Sequence, residues 1–339
     1  MKKLLVLLAA ALFALSATAQ NVQIDGAGAT FPNPIYSKWF SEYNKLHPTV
    51  RINYQSIGSG GGIRQLSAGT VFFGASDGPM TNEQLTAAGF RITHLPTVLG
   101  GVVPVYNITG VTSELRFTGK VLADIFLGRI TKWNDAAIKS LNPGVNLPGE
   151  DITIVHRSDG SGTNYIWCDY LSKISPDFKK TVGVSTSVNW PVGVGGKGNE
   201  GVSGLVRQTP GSLGYVELIY ALQNKISYGS VQNAAGEFIT ASTETVSNCA
   251  AAAAKAMPKD FRVSITNAPG KGVYPISSFT WLLVQDSPSD KQRGKMFADF
   301  VRWALTDGQK YCAELGYAPL PKAVVDLELQ RLRQLKFQI

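Results

Sequence analysis

The chain is short of the residues that build metal centres and disulfide frameworks. It has only three cysteines and three histidines in 339 residues. Cys168, Cys249 and Cys312 form no CxxC pair, and His47, His94 and His156 stand far apart, so no metal and no cofactor is expected. An odd cysteine count excludes a fully paired disulfide set. Cys249 with Cys312 is a pairing left open, and Cys168 reads as a core thiol. Charged residues make up 17% of the chain, with Lys and Arg scattered, which argues against a nucleic-acid surface. No apolar run reaches the roughly 18–20 residues of a membrane span. There are no internal repeats, and only the alanine tract 250–254, expected to be helical, is low in complexity.

The apolar run that does occur, residues 4–15, counts 12 residues. Lys2 and Lys3 precede it and Ala17-Thr-Ala19 follows it. A charged head, a short apolar stretch and a small-x-small site make residues 1–19 a secretory signal peptide. The mature protein is therefore expected to be soluble and exported into a bacterial periplasm. Removing two lysines lowers the formal charge from +8 to +6, a balance compatible with an anionic ligand. About 320 residues remain, enough for two lobes.

The rest of the chain is organised around Arg157-Ser-Asp-Gly-Ser-Gly-Thr163. Residues 151–155 before it are apolar on alternate positions, as in a strand. After it, Ile166, Trp167, Tyr170, Leu171 and Ile174 recur at helical spacing. A helix start presents free N–H groups at the positive end of its dipole. Ser161 and Thr163 add hydroxyls, Gly160 and Gly162 let a ligand approach the backbone, and Arg157 brings a planar charged fork. Together these suit a small oxyanion; the same stretch also suits a capped helix with a surface Arg.

The pattern recurs. A strand from Val22 leads through glycines to Thr30 and Phe31, then to a helix from Pro34, where Pro suits a first turn. A strand at 51–57 leads to Gly58-Ser-Gly-Gly-Gly62 and a helix at 63–68. There Ser59 is a natural N-cap, a ligand donor, or both. Three such units could converge if their strands share a sheet. A fourth strand, 71–77, ends on Asp77, which reads either as a turn residue before Gly78-Pro79 or as an acceptor in the same site. A carboxylate in an anion site is sensible if the anion carries a proton. Phosphate at neutral pH does and sulfate does not, and a failed buried hydrogen bond can discriminate by ~10⁴–10⁵-fold.

Gly26-Ala-Gly-Ala-Thr-Phe-Pro32, Ile57-Gly-Ser-Gly-Gly-Gly62, Phe73-Gly-Ala-Ser-Asp77 and Arg157-Ser-Asp-Gly-Ser-Gly-Thr163 resemble the periplasmic phosphate-binding proteins of bacterial high-affinity phosphate transporters. Phe126-Leu-Gly-Arg-Ile-Thr-Lys-Trp133, Gly195-Gly-Lys-Gly-Asn-Glu-Gly201 and Pro210-Gly-Ser-Leu-Gly-Tyr-Val-Glu217 extend the likeness over nearly the whole mature chain. The resemblance implies an α/β, two-lobed periplasmic-binding-protein fold of type II, with two mixed β-sheets flanked by helices and a two-strand hinge. It implies phosphate binding in the interlobe cleft and delivery to an ABC-type permease with its ATPase, without enzyme activity.

Carried over residue by residue, the resemblance implies donation from the Thr30 hydroxyl and amide, the Phe31 amide and the Ser59 hydroxyl. Asp77 would accept the phosphate proton and Arg157 would supply charge. Ser161, Gly162 and Thr163 would give amides and hydroxyls, and Asp159 would hold Arg157. The expected division is residues 20–106 for the first lobe, 107–275 for the second and 276–339 for the return. Pro104-Val-Tyr-Asn107 is the expected first crossing and 274–284 the returning strand. Helices are expected at 121–127, 135–141, 202–207, 291–305 and 325–335. Residues 193–201 read as a glycine-rich connector that lacks P-loop spacing, and Glu217 as structural.

Besides a scaffold or adhesive role on the same fold, two rival readings stay open. One is a binding protein for another oxyanion. The other is a serine hydrolase, because Gly74-Ala-Ser-Asp-Gly78 matches GxSxG. Pro79 stands where that motif needs a helix, and no His is tied to Ser76 by spacing.

Overall fold

The computed structural model describes residues 21–254 and 257–336. The secretory segment expected at 1–19 lies outside the described residues. The chain opens with β1 (Val22–Gly28), α1 (Asn33–Leu46), β2 (Val50–Ser56), α2 (Ser59–Ser67), β3 (Phe73–Ser76), α3 (Asn82–Ala87) and the long β4 (Ile92–Asn107). Then come β5 (Arg116–Phe117), α4 (Gly119–Phe126), α5 (Ala136–Leu141), β6 (Thr153–Arg157), α6 (Gly162–Ile174) and α7 (Pro176–Thr181). They are followed by β7 (Val194–Gly196), α8 (Gly198–Gln208), β8 (Ser212–Glu217), α9 (Leu218–Asn224), β9 (Ser227–Tyr228), β10 (Ser230–Gln232), β11 (Phe238–Ile239) and α10 (Thr243–Ala254). The chain closes with β12 (Ser277–Gln285), α11 (Lys291–Leu305) and α12 (Lys322–Gln334).

The fold is α/β and two-lobed. One lobe carries the sheet β2-β1-β3-β12-β4, the other the sheet β4-β8-β6-β7 with β9 also on β4. Both sheets are mixed: β1 runs parallel to β2 and β3, while β12 is antiparallel to β3 and β4. β6 runs parallel to β7 and β8, and β8 antiparallel to β4. A small third sheet, β11-β10-β5, was not foreseen. Its strands are two or three residues long, too short for alternation to show.

β4 belongs to both sheets. Residues up to Gly101 pair with β12, and Val102 to Asn107 pair with β8. The return runs beside it, with the Val102 amide donating to the Ile276 carbonyl at 2.8 Å. The change of sheet therefore comes before the boundary expected after Tyr106. Pro104, the start of the expected crossing, sits inside the second ladder opposite Tyr215. The switch falls instead between Gly101 and Val102, just after two glycines where elements crowd the strand. A β-carbon on Gly100 would meet the Phe31 ring and Glu217, and one on Gly101 the Tyr274 ring.

Helical faces fill in the core as their spacing predicts. On α11, Phe297, Phe300, Val301 and Ala304 are buried. Phe297 stacks on Phe73 at 4.7 Å between centroids, and Phe300 packs on Phe40 and Tyr43 at 5.3 Å each. In the second lobe Trp167 of α6 stacks on Tyr215 of β8 at 4.9 Å. Such pairs contribute about 0.5–1.5 kcal/mol beyond area burial. They tie the helices following β6 and β1 rigidly to their sheets, which fixes where the helix starts point.

The three cysteines are free and buried, so the Cys249–Cys312 pairing left open above does not form. Cys249 instead donates its thiol to the Ile265 carbonyl at 3.1 Å.

Candidate functional site

The carboxyl ends of β1, β2, β3 and β6 deliver the expected residues to one buried place between the lobes. Thr30, Phe31, Ser59, Asp77, Arg157, Ser161 and Thr163 are all buried. Three contacts bring the halves together. The Gly60 amide donates to the Gly160 carbonyl at 2.8 Å. A β-carbon on Gly162 would fall 2.5 Å from both Asp77 Oδ2 and Ser59 Oγ. Asn199 of α8 reaches Thr30 in one lobe and Thr163 in the other. The lobes are closed upon the site.

Arg157 ends β6. Its Nε donates to Asp159 Oδ1 at 2.8 Å and its Nη2 to Asp159 Oδ2 at 2.6 Å. This bidentate pair fixes the guanidinium plane. The third nitrogen, Nη1, is buried and has no partner among the described residues. A buried charged donor left unpaired is costly, so this nitrogen marks a place for an acceptor. Asp159 also accepts from the Gly198 amide at 3.0 Å. Burial pushes the Asp159 pKa up, but Arg157 and the Gly198 amide outweigh it and hold the carboxyl below its usual range.

Helix α6 supplies further donors. Ser161 is its N-cap and accepts from the Asn164 amide at 3.0 Å. The Ser161 amide itself donates to the Thr186 carbonyl, so this residue has its hydroxyl hydrogen to offer and not its amide. Gly162 and Thr163 are the first two helical residues, whose amides precede any intrahelical bond.

Helix α2 departs from the sequence reading. It begins at Ser59 and includes three glycines, with Gly58 as N-cap at φ 87°. Ser59 is therefore inside the helix rather than capping it, and its Oγ accepts from the Asp77 amide at 3.2 Å. Glycine disfavours helix, so composition alone delays the predicted start. Packing overrides this, because a β-carbon on Gly62 would strike the backbone of Ala27, Gly28 and Ala75.

Asp77 follows β3. Its Oδ1 accepts from the Thr280 hydroxyl at 2.7 Å, a neighbour supplied by the antiparallel β3–β12 register, in which Trp281 faces Ser76. Burial raises the Asp77 pKa to about 7, with Thr280, Arg157 and Ser59 pulling the other way. The site thus gathers donors from both lobes around one carboxylate.

Several residues escaped the sequence reading. Asn199 and Thr280 lie within stretches read as a connector and as a plain strand. Tyr215 accepts from the Arg157 amide at 3.1 Å and donates to Asn164 at 2.6 Å, and Tyr220 donates to the Thr30 carbonyl at 2.5 Å. Their only signal was a polar tip in an otherwise apolar run. Ser76 is buried and bonded to the Gly78 carbonyl, with no His among its hydrogen-bond partners. His94 accepts from the Met80 amide at 3.0 Å, and burial holds its pKa down near 3.

Residues 15–307 match the PBP superfamily domain. Over 307 residues the chain is 51% identical to the phosphate-binding protein PstS of Xylella fastidiosa, covering 90% of this chain and 84% of that protein. The chain belongs to the phosphate-binding proteins of the PBP superfamily. A second member, PstS of Pasteurella multocida, is 47% identical over 314 residues, covering 92% of this chain and 90% of that protein. The fold is similar to the crystal structure of a phosphate-binding protein from Stenotrophomonas maltophilia, with a TM-score of 0.71 at 19% identity. That match covers 91% of this chain and 94% of the other. Among the described residues no helix is long and apolar enough to cross a membrane.

Proposed function

We propose that this protein binds inorganic phosphate between its lobes in the periplasm and hands it to an ABC-type permease, without catalysing a reaction. The observation that carries the reading is Arg157 Nη1, buried and without a partner while Asp159 immobilises the rest of the guanidinium. It lies in a site where Asp77 feels the Arg157 charge. A phosphate oxygen completes that nitrogen's hydrogen bond. The amides of Thr30, Phe31, Gly162 and Thr163 and the hydroxyls of Thr30, Ser59, Ser161 and Thr163 surround the other oxygens. Asp77 Oδ2 takes the P–OH hydrogen.

The alternative of another oxyanion fares worse on one point. A fully ionised sulfate would set lone pairs against Asp77. Relatives named as phosphate-binding proteins support the same choice. The permease step rests on family membership. Strand β4 and the return segment at Ile276 cross side by side between the sheets, which permits hinge opening for release. Isothermal titration with phosphate, sulfate and arsenate tests the reading. Phosphate should bind and arsenate should compete for the same site, while equal affinity for sulfate would contradict it.

A further inference from the structure

We propose that Asn199 is the positioning residue that orients the hydroxyls of Thr30 and Thr163 to donate toward the anion, and thereby favours Asp77 as the acceptor of the anion's proton. The inference rests on the phosphate reading above and adds to it a residue that touches no ligand.

One backbone group beside Asn199 has no choice of polarity. The Glu217 amide donates to Asn199 Oδ1 at 3.0 Å. A backbone N–H can only donate, so the carboxamide oxygen must face it and the NH₂ must face the other way. That NH₂ has two hydrogens and two recipients. It reaches Thr30 Oγ1 at 2.8 Å and Thr163 Oγ1 at 3.1 Å. The Asn199 amide adds a second bond to Thr30 Oγ1 at 3.2 Å. A hydroxyl has two lone pairs and one hydrogen. On Thr30 both lone pairs are taken, so only the hydrogen remains to serve the ligand. On Thr163 one lone pair is taken, and the hydrogen is directed away from the donor beside it.

Two consequences follow for the anion. Freely rotating hydroxyls could present lone pairs to a P–OH group or hydrogens to a P–O⁻ group. Fixed by Asn199, Thr30 presents only its hydrogen, and Thr163 has one lone pair fewer to present. The proton on the guest is then steered toward the strongest acceptor, Asp77 Oδ2. Asn199 is itself fully buried, at 0% exposure, so water cannot substitute for it without a rearrangement. Because Thr30 and Thr163 belong to opposite lobes, the fork also forms only when the lobes meet.

Calorimetry with inorganic phosphate on the full chain tests this through a double-mutant cycle. The four proteins are wild type, Asn199→Ala, Thr30→Ala with Thr163→Ala, and the triple variant. Asn199→Ala should weaken phosphate binding by about tenfold in the wild-type background. The loss should shrink to within about twofold once both hydroxyls are gone, because Asn199 acts through them. An equal loss in both backgrounds assigns Asn199 to the fold and overturns the proposal, as does wild-type affinity in Asn199→Ala. If Asn199→Ala lacks a thermal unfolding transition without phosphate, Asn199→Asp takes its place in the cycle. Its carboxylate keeps the shape but accepts both hydroxyl hydrogens, so its loss should again be larger with the hydroxyls than without them. Failure of the wild type to bind phosphate would overturn the phosphate reading and this inference with it.

Discussion

Asp77 gives one carboxylate oxygen to Thr280 at 2.7 Å and turns the other toward Gly162 across the cleft, where a β-carbon would stand 2.5 Å away. One oxygen is tied to its own lobe and the other is aimed at the opposite lobe. The carboxylate is thus held in place before any ligand arrives, and its free oxygen faces the start of α6. Selectivity and closure both depend on this arrangement.

Gly162→Ala should block closure rather than folding. The added methyl collides with Asp77 and Ser59 only when the lobes meet. Phosphate affinity should fall by at least about tenfold, since a misplaced lobe costs more than one hydrogen bond. The melting temperature without phosphate should be little changed if the open form is then populated. Calorimetry and thermal melting on the same sample check this, and wild-type affinity would mean that this approach is not needed for binding.

Arg157→Ala should weaken phosphate binding by several kcal/mol, because it leaves a buried anion under-compensated and strands Asp159 as well. Arg157→Lys should recover only part of the loss, as an ammonium cannot hold Asp159 bidentately and still reach the anion. A loss below about 1 kcal/mol for Arg157→Ala, the size of an ordinary surface contact, would make Arg157 peripheral.

Ligand-free stability should carry the signature of Asp77. Burial raises its folded pKa from 3.8 to about 7. The folded state therefore holds this proton more tightly than the unfolded chain does. That contribution to stability is fully present below pH 3.8 and is lost as pH rises through about 7. Glu217 and Glu328 shift in the same direction, also through burial, so the wild-type profile sums several groups. The difference between wild type and Asp77→Asn isolates one of them. Melting curves across pH should show Asp77→Asn gaining on the wild type as pH increases over that window, and parallel profiles would exclude the raised pKa.

Glu328 on α12 is fully buried, and neither carboxyl oxygen has a partner among the described residues. Glu328→Met should stabilise the protein by about 1–3 kcal/mol, the size of an unsatisfied buried polar group. Phosphate affinity should be unaffected. Chemical denaturation reads this directly, and a destabilised variant would show that the carboxyl has a role in the fold.

Much of the site was legible in the sequence because anion chemistry is local. A helix start with glycine, Ser or Thr announces its own free amides, and Arg157 and Asp159 sit two residues apart in the same loop. What stayed hidden depends on contacts between distant segments. Asn199 sits among glycines that read as a connector, and its partners Thr30 and Thr163 are far away in the chain. Thr280 acquires its role only from the β3–β12 register. The start of α2 was misplaced because three glycines argue against helix, while the close backbone of β1 and β3 demands Gly62. The sheet change between Gly101 and Val102 was hidden because a strand that continues through both sheets keeps one apolar pattern throughout.

The central claim is that a single buried carboxylate makes the site choose a protonated tetrahedral anion. Titration of wild type and Asp77→Asn with phosphate and sulfate tests it most directly. The wild type should prefer phosphate by orders of magnitude, and Asp77→Asn should lose most of that preference, since an amide can donate to either anion. Unchanged selectivity in Asp77→Asn would contradict the account.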